Sequence, residues 1–274
     1  MTRLPLRPCL LTALPAVCLL MLPLTTGCDA RAIDAPKTVE SGEQQGPAEL
    51  ERLARTDQAA LLQRCLEHYQ ANYRNFTCTF TKQERIAGVL REAQRVQVWF
   101  RDEPFSVAMK WLENPGAGDR LLYAEGKYDN KMLVRPAVGW QRALVGNRVA
   151  KDLDDPAVKS QSLRPVSMFG FARNLQDLIR VYRLAEKRGD LESSFEGYAE
   201  VDGRQCMVLV RRLPQNPDYP AEKTTLYIDA EYLVPTAIRA ETAEGQLVSN
   251  YLYRDLQFNQ SMDEDTFTPE ALGM

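Results

Sequence analysis

The chain has 274 residues, with 34 Lys and Arg against 37 Asp and Glu, a net charge of -3, 45% hydrophobic residues and one histidine. That balance gives no electrostatic footprint for nucleic acid, and a charged fraction of 26% suits the surface of a folded body. The cysteines, at positions 9, 18, 28, 65, 78 and 206, are too scattered for a zinc pattern, and neither a Walker loop nor a dinucleotide fingerprint calls for a cofactor.

The first segment reads as an address. Arg3 and Arg7 precede an apolar run, Leu10 to Leu22, interrupted by Pro15. The run is short for a membrane span and has the layout of a secretory signal. Leu24-Thr25-Thr26-Gly27-Cys28 follows and resembles a bacterial lipobox, which implies cleavage before Cys28 and lipid attachment to it. The alternative is ordinary secretion with cleavage near Gly27. Without Arg3 and Arg7 the chain carries 32 basic against 37 acidic residues, a net charge of -5. Positions 28–47, rich in Ala, Pro, Gly, Gln and Glu, read as a flexible tether, and positions 48–274 as one domain. No later stretch is long and apolar enough to span a bilayer, so attachment rests on lipid at Cys28. The expected location is the periplasmic side of the cell envelope, anchored to the inner or outer membrane.

Residues 49–73 have a helical stripe through Leu61, Leu62, Cys65, Leu66, Tyr69 and Tyr73, with Thr56 and Asp57 as capping residues. The period then drops to two. Phe76, Cys78 and Phe80 alternate with threonines, Gly88 turns the chain, and Val96, Val98 and Phe100 share a face. Asp102-Glu103-Pro104 turns it again before Phe105, Val107, Met109 and Trp111. Short strands are expected at 121–124, 131–135 and 140–145, and a polar, Pro-containing stretch fills 146–166. Phe169 to Arg188 reads as a helix ended by Gly189. Asp202-Gly203 marks a hairpin between 195–201 and 205–211, and strands at 223–229, 234–242 and 247–258 complete a meander. In the tail, 262–274, Phe267 is expected to pack and the rest to be loose. The fold class is α+β: a curved antiparallel sheet, an unclosed barrel, with helices over its concave face.

Chemistry-bearing patterns are sparse. His68 stands alone on the first helix, and no nucleophile elbow accompanies it. The carboxylate groups Asp154-Asp155 and Asp263-Glu264-Asp265 sit in polar loops, where solvation or capping accounts for them. Cys65, Cys78 and Cys206 read as small buried side chains, with a Cys65–Cys78 disulfide as the alternative. No enzyme, metal or cofactor is expected.

The sequence resembles the periplasmic lipoprotein carriers, LolA-like and LolB-like, through Tyr73-Arg74-Asn75-Phe76, Thr79-Phe80-Thr81-Lys82-Gln83, Leu226-Tyr227-Ile228-Asp229, Pro235, Gly245, Tyr251-Leu252-Tyr253-Arg254-Asp255-Leu256, Asn259 and Phe267. It is more closely similar to an uncharacterised bacterial domain-of-unknown-function family, DUF1571. The stretches that carry this are Phe80-Thr81-Lys82-Gln83-Glu84-Arg85 with Gly88, and Glu103-Pro104-Phe105-Ser106-Val107-Ala108-Met109-Lys110-Trp111-Leu112. The resemblance covers most of 60–260 and implies a LolA-like fold whose apolar concave face takes acyl chains. Two departures stand beside it: this chain reads as a lipoprotein itself, and no residue matches a carrier's ligand-contacting arginine.

The candidate ligand-binding set is therefore Val98, Phe100, Phe105, Val107, Met109 and Trp111 on one apolar face, with Lys82 and Glu84 extending that face toward a polar mouth for a headgroup. The expected function is non-catalytic: a membrane-tethered envelope lipoprotein binding an acyl chain, lipid or lipoprotein, with an envelope protein as a further partner and no nucleic acid. The alternative is a structural or protein-interaction lipoprotein with a filled core and no ligand.

Overall fold

A computed structural model describes residues 48–274 except Asp154. The expected signal at 1–27, Cys28 and the tether at 28–47 lie outside the described residues.

The helical stripe after residue 48 forms two helices, α1 (Ala48–Thr56) and α2 (Gln58–Asn72). Asp57 separates them, and its carboxylate accepts a hydrogen bond from the Ala60 N–H, satisfying one of the orphan donors of the α2 first turn. The first half of the sheet follows as β1 (Asn75–Ile86), β2 (Val89–Leu90), β3 (Gln94–Arg101), β4 (Ser106–Glu113), β5 (Gly118–Ala124) and β6 (Met132–Pro136). The Glu103–Pro104 peptide between β3 and β4 is cis. An irregular stretch then holds α3 (Gly139–Val145), β7 (Val149–Lys151) and α4 (Pro156–Lys159), and leads into α5 (Phe171–Arg188), which Gly189 closes in the left-handed conformation at φ 74°. The second half is β8 (Glu192–Val201), β9 (Arg204–Arg212), β10 (Lys223–Asp229), β11 (Pro235–Glu241) and β12 (Leu247–Phe258).

The strands form one antiparallel sheet in the order β7-β6-β5-β4-β3-β1-β12-β11-β10-β9-β8, with β2 paired to β1. The sheet is unclosed, with β7 and β8 at its edges. Its halves meet where β1 pairs β12, as at Phe80 opposite Tyr253. The chain leaves the sheet at one edge and re-enters at the other, so the connecting segment must cross a face. That segment contains α5, which buries Phe171, Leu175, Leu178 and Tyr182 against the sheet and against Leu61, Leu62, Cys65 and Tyr69 of α2. The concave face carries the alternating set Phe76, Cys78, Phe80, Val96, Val98, Phe100, Val107 and Met109, with Leu209, Leu226 and Tyr253 from the second half. This is the arrangement expected from the sequence: an unclosed antiparallel sheet covered by helices. Among the described residues no helix is long and apolar enough to cross a membrane.

Two local expectations change. Residues 140–145 are helical rather than extended, because the Val138 carbonyl accepts from the Gln141 and Arg142 N–H groups while β6 takes β7 as its neighbour, with Met132 opposite Lys151. Trp140 and Leu144, four apart, satisfy a helical period as well as an alternating one. The tail is packed rather than loose: Phe267 and Leu272 lie buried on the outer face of the sheet beside Ala108, Leu122, Ala124 and Leu133. Cys65, Cys78 and Cys206 are all free and buried.

Candidate ligand-binding cavity

The concave side is filled at one end and hollow at the other. At the filled end α5 drives Phe171 to within 4.8 Å, ring centroid to centroid, of both Phe76 and Tyr253, and Phe76 stacks on Phe100 at 4.8 Å. Gly170 lets the chain enter α5 there. It sits at φ 106°, and a Cβ at this position would come within 2.3 Å of the Phe100 ring.

At the other end the segment between β6 and α5 arches over the sheet without filling the space beneath. A cavity of about 500 Å³ remains, within the range of small-molecule sites. Its floor is Val96, Met109, Trp111, Leu121, Met132 and Val134, and its roof includes Trp140, Leu144, Val145, Val158 and Val166. Phe80, Phe169 and Tyr253 form the partition from the aromatic core, since each lines the cavity and also joins the ring cluster. The walls are mainly apolar, as an acyl chain requires.

The polar groups gather at one place. The Glu84 carboxylate is 4% exposed and accepts from Tyr251 Oη at 2.6 Å, Ser162 Oγ at 3.1 Å and Lys82 Nζ at 3.1 Å. Lys82 also donates to Ser162 Oγ at 3.2 Å. Burial, and next the neighbouring Glu84 charge, push the Tyr251 hydroxyl far above its ordinary range, so it remains a donor. This cluster borders a second, polar hollow of about 360 Å³ lined by Arg91, Glu92, Asn114 and Ser160, which shares Lys82, Glu84, Gln94, Gly116 and Gln161 with the apolar cavity. Deeper in, Asn174 of α5 lines the apolar cavity, and its Oδ1 is buried without a hydrogen-bond partner. Such an acceptor is costly unless something donates to it.

The sequence-predicted set divides across these two ends. Met109, Trp111, Lys82 and Glu84 line the cavity. Val98, Phe100, Phe105 and Val107 do not; they are 0–5% exposed in the solid core, where α5 and Phe169 cover them. Phe105 takes the Arg173 guanidinium over its ring at 3.9 Å. Sequence reasoning missed Met132, Val134, Ser162, Asn174 and Tyr251, which reach the cavity from elements distant in the chain. His68 lies on α2 beside Tyr73, away from the cavity lining. Among the described residues no group of His, Cys, Asp and Glu is placed to hold a metal ion. Asp263 caps a short helical turn through the Thr266 N–H, and Glu264 pairs with Lys127 at 2.6 Å.

No curated protein matches the sequence. Solved structures similar to it include MucB, which has also been solved from Pseudomonas aeruginosa in complex with MucA; the match to MucB has 14% identity, covers 78% of this chain and has a TM-score of 0.48. This chain spans 63% of that MucB chain. The Mycobacterium tuberculosis lipoprotein LppX is similar at 11% identity over 76% of this chain and 98% of its own, with a TM-score of 0.44. A LolA superfamily protein from Nitrosomonas europaea is similar at 13% identity over 77% and 99%, with a TM-score of 0.33. The profile of the family described as "Protein of unknown function (DUF1571)" matches residues 73–271, from the end of α2 through the packed tail. The chain belongs to the DUF1571 family.

Proposed function

We propose that this protein is a non-catalytic binder of an acyl chain, lipid or lipoprotein, held at the periplasmic side of the cell envelope by lipid on Cys28. One observation carries the reading: an apolar cavity of about 500 Å³ adjoins a polar hollow at Lys82 and Glu84, the shape and polarity of an amphiphile. The acyl chain lies over Met109, Trp111, Met132 and Val134, each buried methylene contributing about 0.8 kcal/mol. The headgroup rests at the Lys82–Glu84–Ser162 cluster, and the unpartnered Asn174 Oδ1 accepts from a hydroxyl or amide on the ligand. The signal and the lipobox-like stretch ending at Cys28 support an exported, anchored protein.

The alternative, a structural or interaction lipoprotein, draws on the solid packing of Val98, Phe100, Phe105 and Val107. Titration with a fluorescent fatty acid separates the two. Saturable binding is expected in the wild type, with a change in Trp111 emission. Val134→Phe, which grows into the cavity, is expected to weaken binding at least tenfold with an unchanged circular dichroism spectrum. No saturable binding in the wild type, or a folded Val134→Phe that binds equally well, refutes the binding reading. Failure of wild-type protein to take up labelled fatty acid in cells refutes the anchor alone.

A further inference from the structure

Large apolar side chains are exposed unevenly. Among the described residues the exposed large hydrophobics are Val89, Leu90, Leu112, Val138, Trp140, Leu144, Val145 and Leu163, so five of these eight fall between positions 138 and 163. The greatest exposures, 66% at Trp140 and 76% at Leu144, belong to α3, which has no buried residue. Trp140, Leu144 and Val145 also roof the cavity, whereas Val138 and Leu163 of the same segment are exposed without lining it, so the apolar surface continues outside the cavity. Apolar groups concentrated at one exposed tip mark a contact with something apolar.

The charge around that tip identifies what it meets. From 131 to 151 the sequence contains Lys131, Arg135, Arg142, Arg148 and Lys151 and no Asp or Glu, in a chain whose net charge is -3. Folding adds Arg120 and brings three carboxylates to this set: Asp119 to Arg135 at 2.8 Å and to Arg120 and Arg142 at 3.7 Å, Glu270 to Arg148 at 3.6 Å, and Asp155 to Lys151 at 3.1 Å. Arg120, Arg135 and Arg142 share the single carboxylate of Asp119, so the footing of α3 carries a positive excess, while Asp129 and Asp152 flank the two ends of the run. Arg148 and Lys151 remain 49% and 38% exposed. A Trp-and-Leu tip with Arg142 on the same helix and Arg148 and Lys151 in the segment after it has the composition that seats at the interface of an anionic bilayer, where Trp favours the headgroup level and cations meet anionic headgroups. A second protein would need a complementary apolar socket, for which nothing in this chain argues.

We propose that α3 is a membrane-docking tip that inserts Trp140, Leu144 and Val145 into an anionic phospholipid surface, with Arg142, Arg148 and Lys151 over the headgroups. The same three apolar residues roof the cavity. Docking therefore removes the roof's outer face from water and sets the cavity against the bilayer, so that an acyl chain passes between the two without crossing solvent. The contact is separate from lipid on Cys28, while the passage of an acyl chain rests on the acyl-binding reading of the cavity.

Vesicle binding tests it. Every described helix and strand lies between positions 48 and 274, so the chain from position 28 onward keeps all of the described elements. Carrying Cys28→Ala, it has no acyl anchor. Co-flotation with phosphatidylglycerol vesicles is expected, with little binding to phosphatidylcholine vesicles and a loss on raising salt. Trp140→Ser with Leu144→Ser is expected to weaken binding at least tenfold with unchanged circular dichroism. The charge reversals Arg148→Glu and Lys151→Glu are expected to weaken it while leaving Trp140 and Leu144 intact. The proposal is overturned if the parent does not bind phosphatidylglycerol, if the folded Trp140→Ser/Leu144→Ser variant binds as well as the parent, or if those substitutions instead dissolve a dimer of this chain.

Discussion

The two ends of the concave side are built from the same strands and the same alternation, yet one is solid and the other hollow. Along β3 and β4, Phe100 and Val107 are sealed in the core near α5, while Val96, Met109 and Trp111 line the cavity floor. The difference lies in the cover. Over the solid end runs an 18-residue amphipathic helix whose Phe171, Leu175 and Tyr182 interdigitate with the sheet. Over the hollow end lie a 7-residue helix, a 3-residue strand and loops, whose Trp140 and Leu144 roof the cavity without being buried against the sheet. An inward-facing strand residue thus becomes core or pocket according to what a distant segment places above it.

Truncation sharpens this contrast most. Phe100→Ala removes a ring packed among Phe76, Phe105 and Phe169 and is expected to cost about 3–5 kcal/mol. Val134→Ala at the hollow end is expected to cost about 1 kcal/mol, because its side chain already borders empty space. Urea denaturation of the two variants measures the gap; equal losses would mean that the ends do not differ. Gly170→Ala is next. Its methyl meets the Phe100 ring and its backbone holds φ 106°, so a loss of about 2–4 kcal/mol is expected, read as a lower Tm.

The smallest effect concerns the footing of α3. Burial works to raise the Asp119 carboxyl, but the hydrogen bond from Arg135 and the charges of Arg135, Arg120 and Arg142 outweigh it and hold it below the usual 3.8. A carboxylate shifted in this direction stabilises the fold above its ordinary value, and the contribution is lost as pH falls through the lowered one. Asp119→Asn is expected to lower stability slightly at neutral pH, and the difference from wild type should vanish as acid protonates Asp119. Denaturation midpoints across that range check it, and a difference that grows in acid would contradict the assignment.

Much of the fold was legible because it is local. The Thr-interleaved Phe76, Cys78 and Phe80, the Asp202-Gly203 hairpin and the Asp57 cap all declare themselves within a few residues. The parity that placed Lys82 and Glu84 on the inward face also placed them at the cavity. Other features depend on contacts across the chain. Tyr251 and Ser162 reach Glu84 from 167 and 78 positions away, and no spacing announces them. The pattern of residues 140–145 fits a strand as well as a helix because six residues satisfy two periods, and the pairing of β6 with β7 decides between them. The face from Phe100 to Val107 was correctly inward, but alternation carries no information about the ring of Phe169 or the arrival of α5 above it.

The sealed thiols give the molecule a property of its own. Cys65, Cys78 and Cys206 have no disulfide partner, and burial pushes all three thiols up, Cys65 and Cys206 to about 12. With so little thiolate and such burial, these three cysteines are protected from oxidants and thiol exchange in the folded state. Each cysteine sits in a different element: α2, β1 and β9. A pulse of alkylating reagent therefore reaches one of these three thiols only when its element opens, and which of the three is labelled records which element opened first.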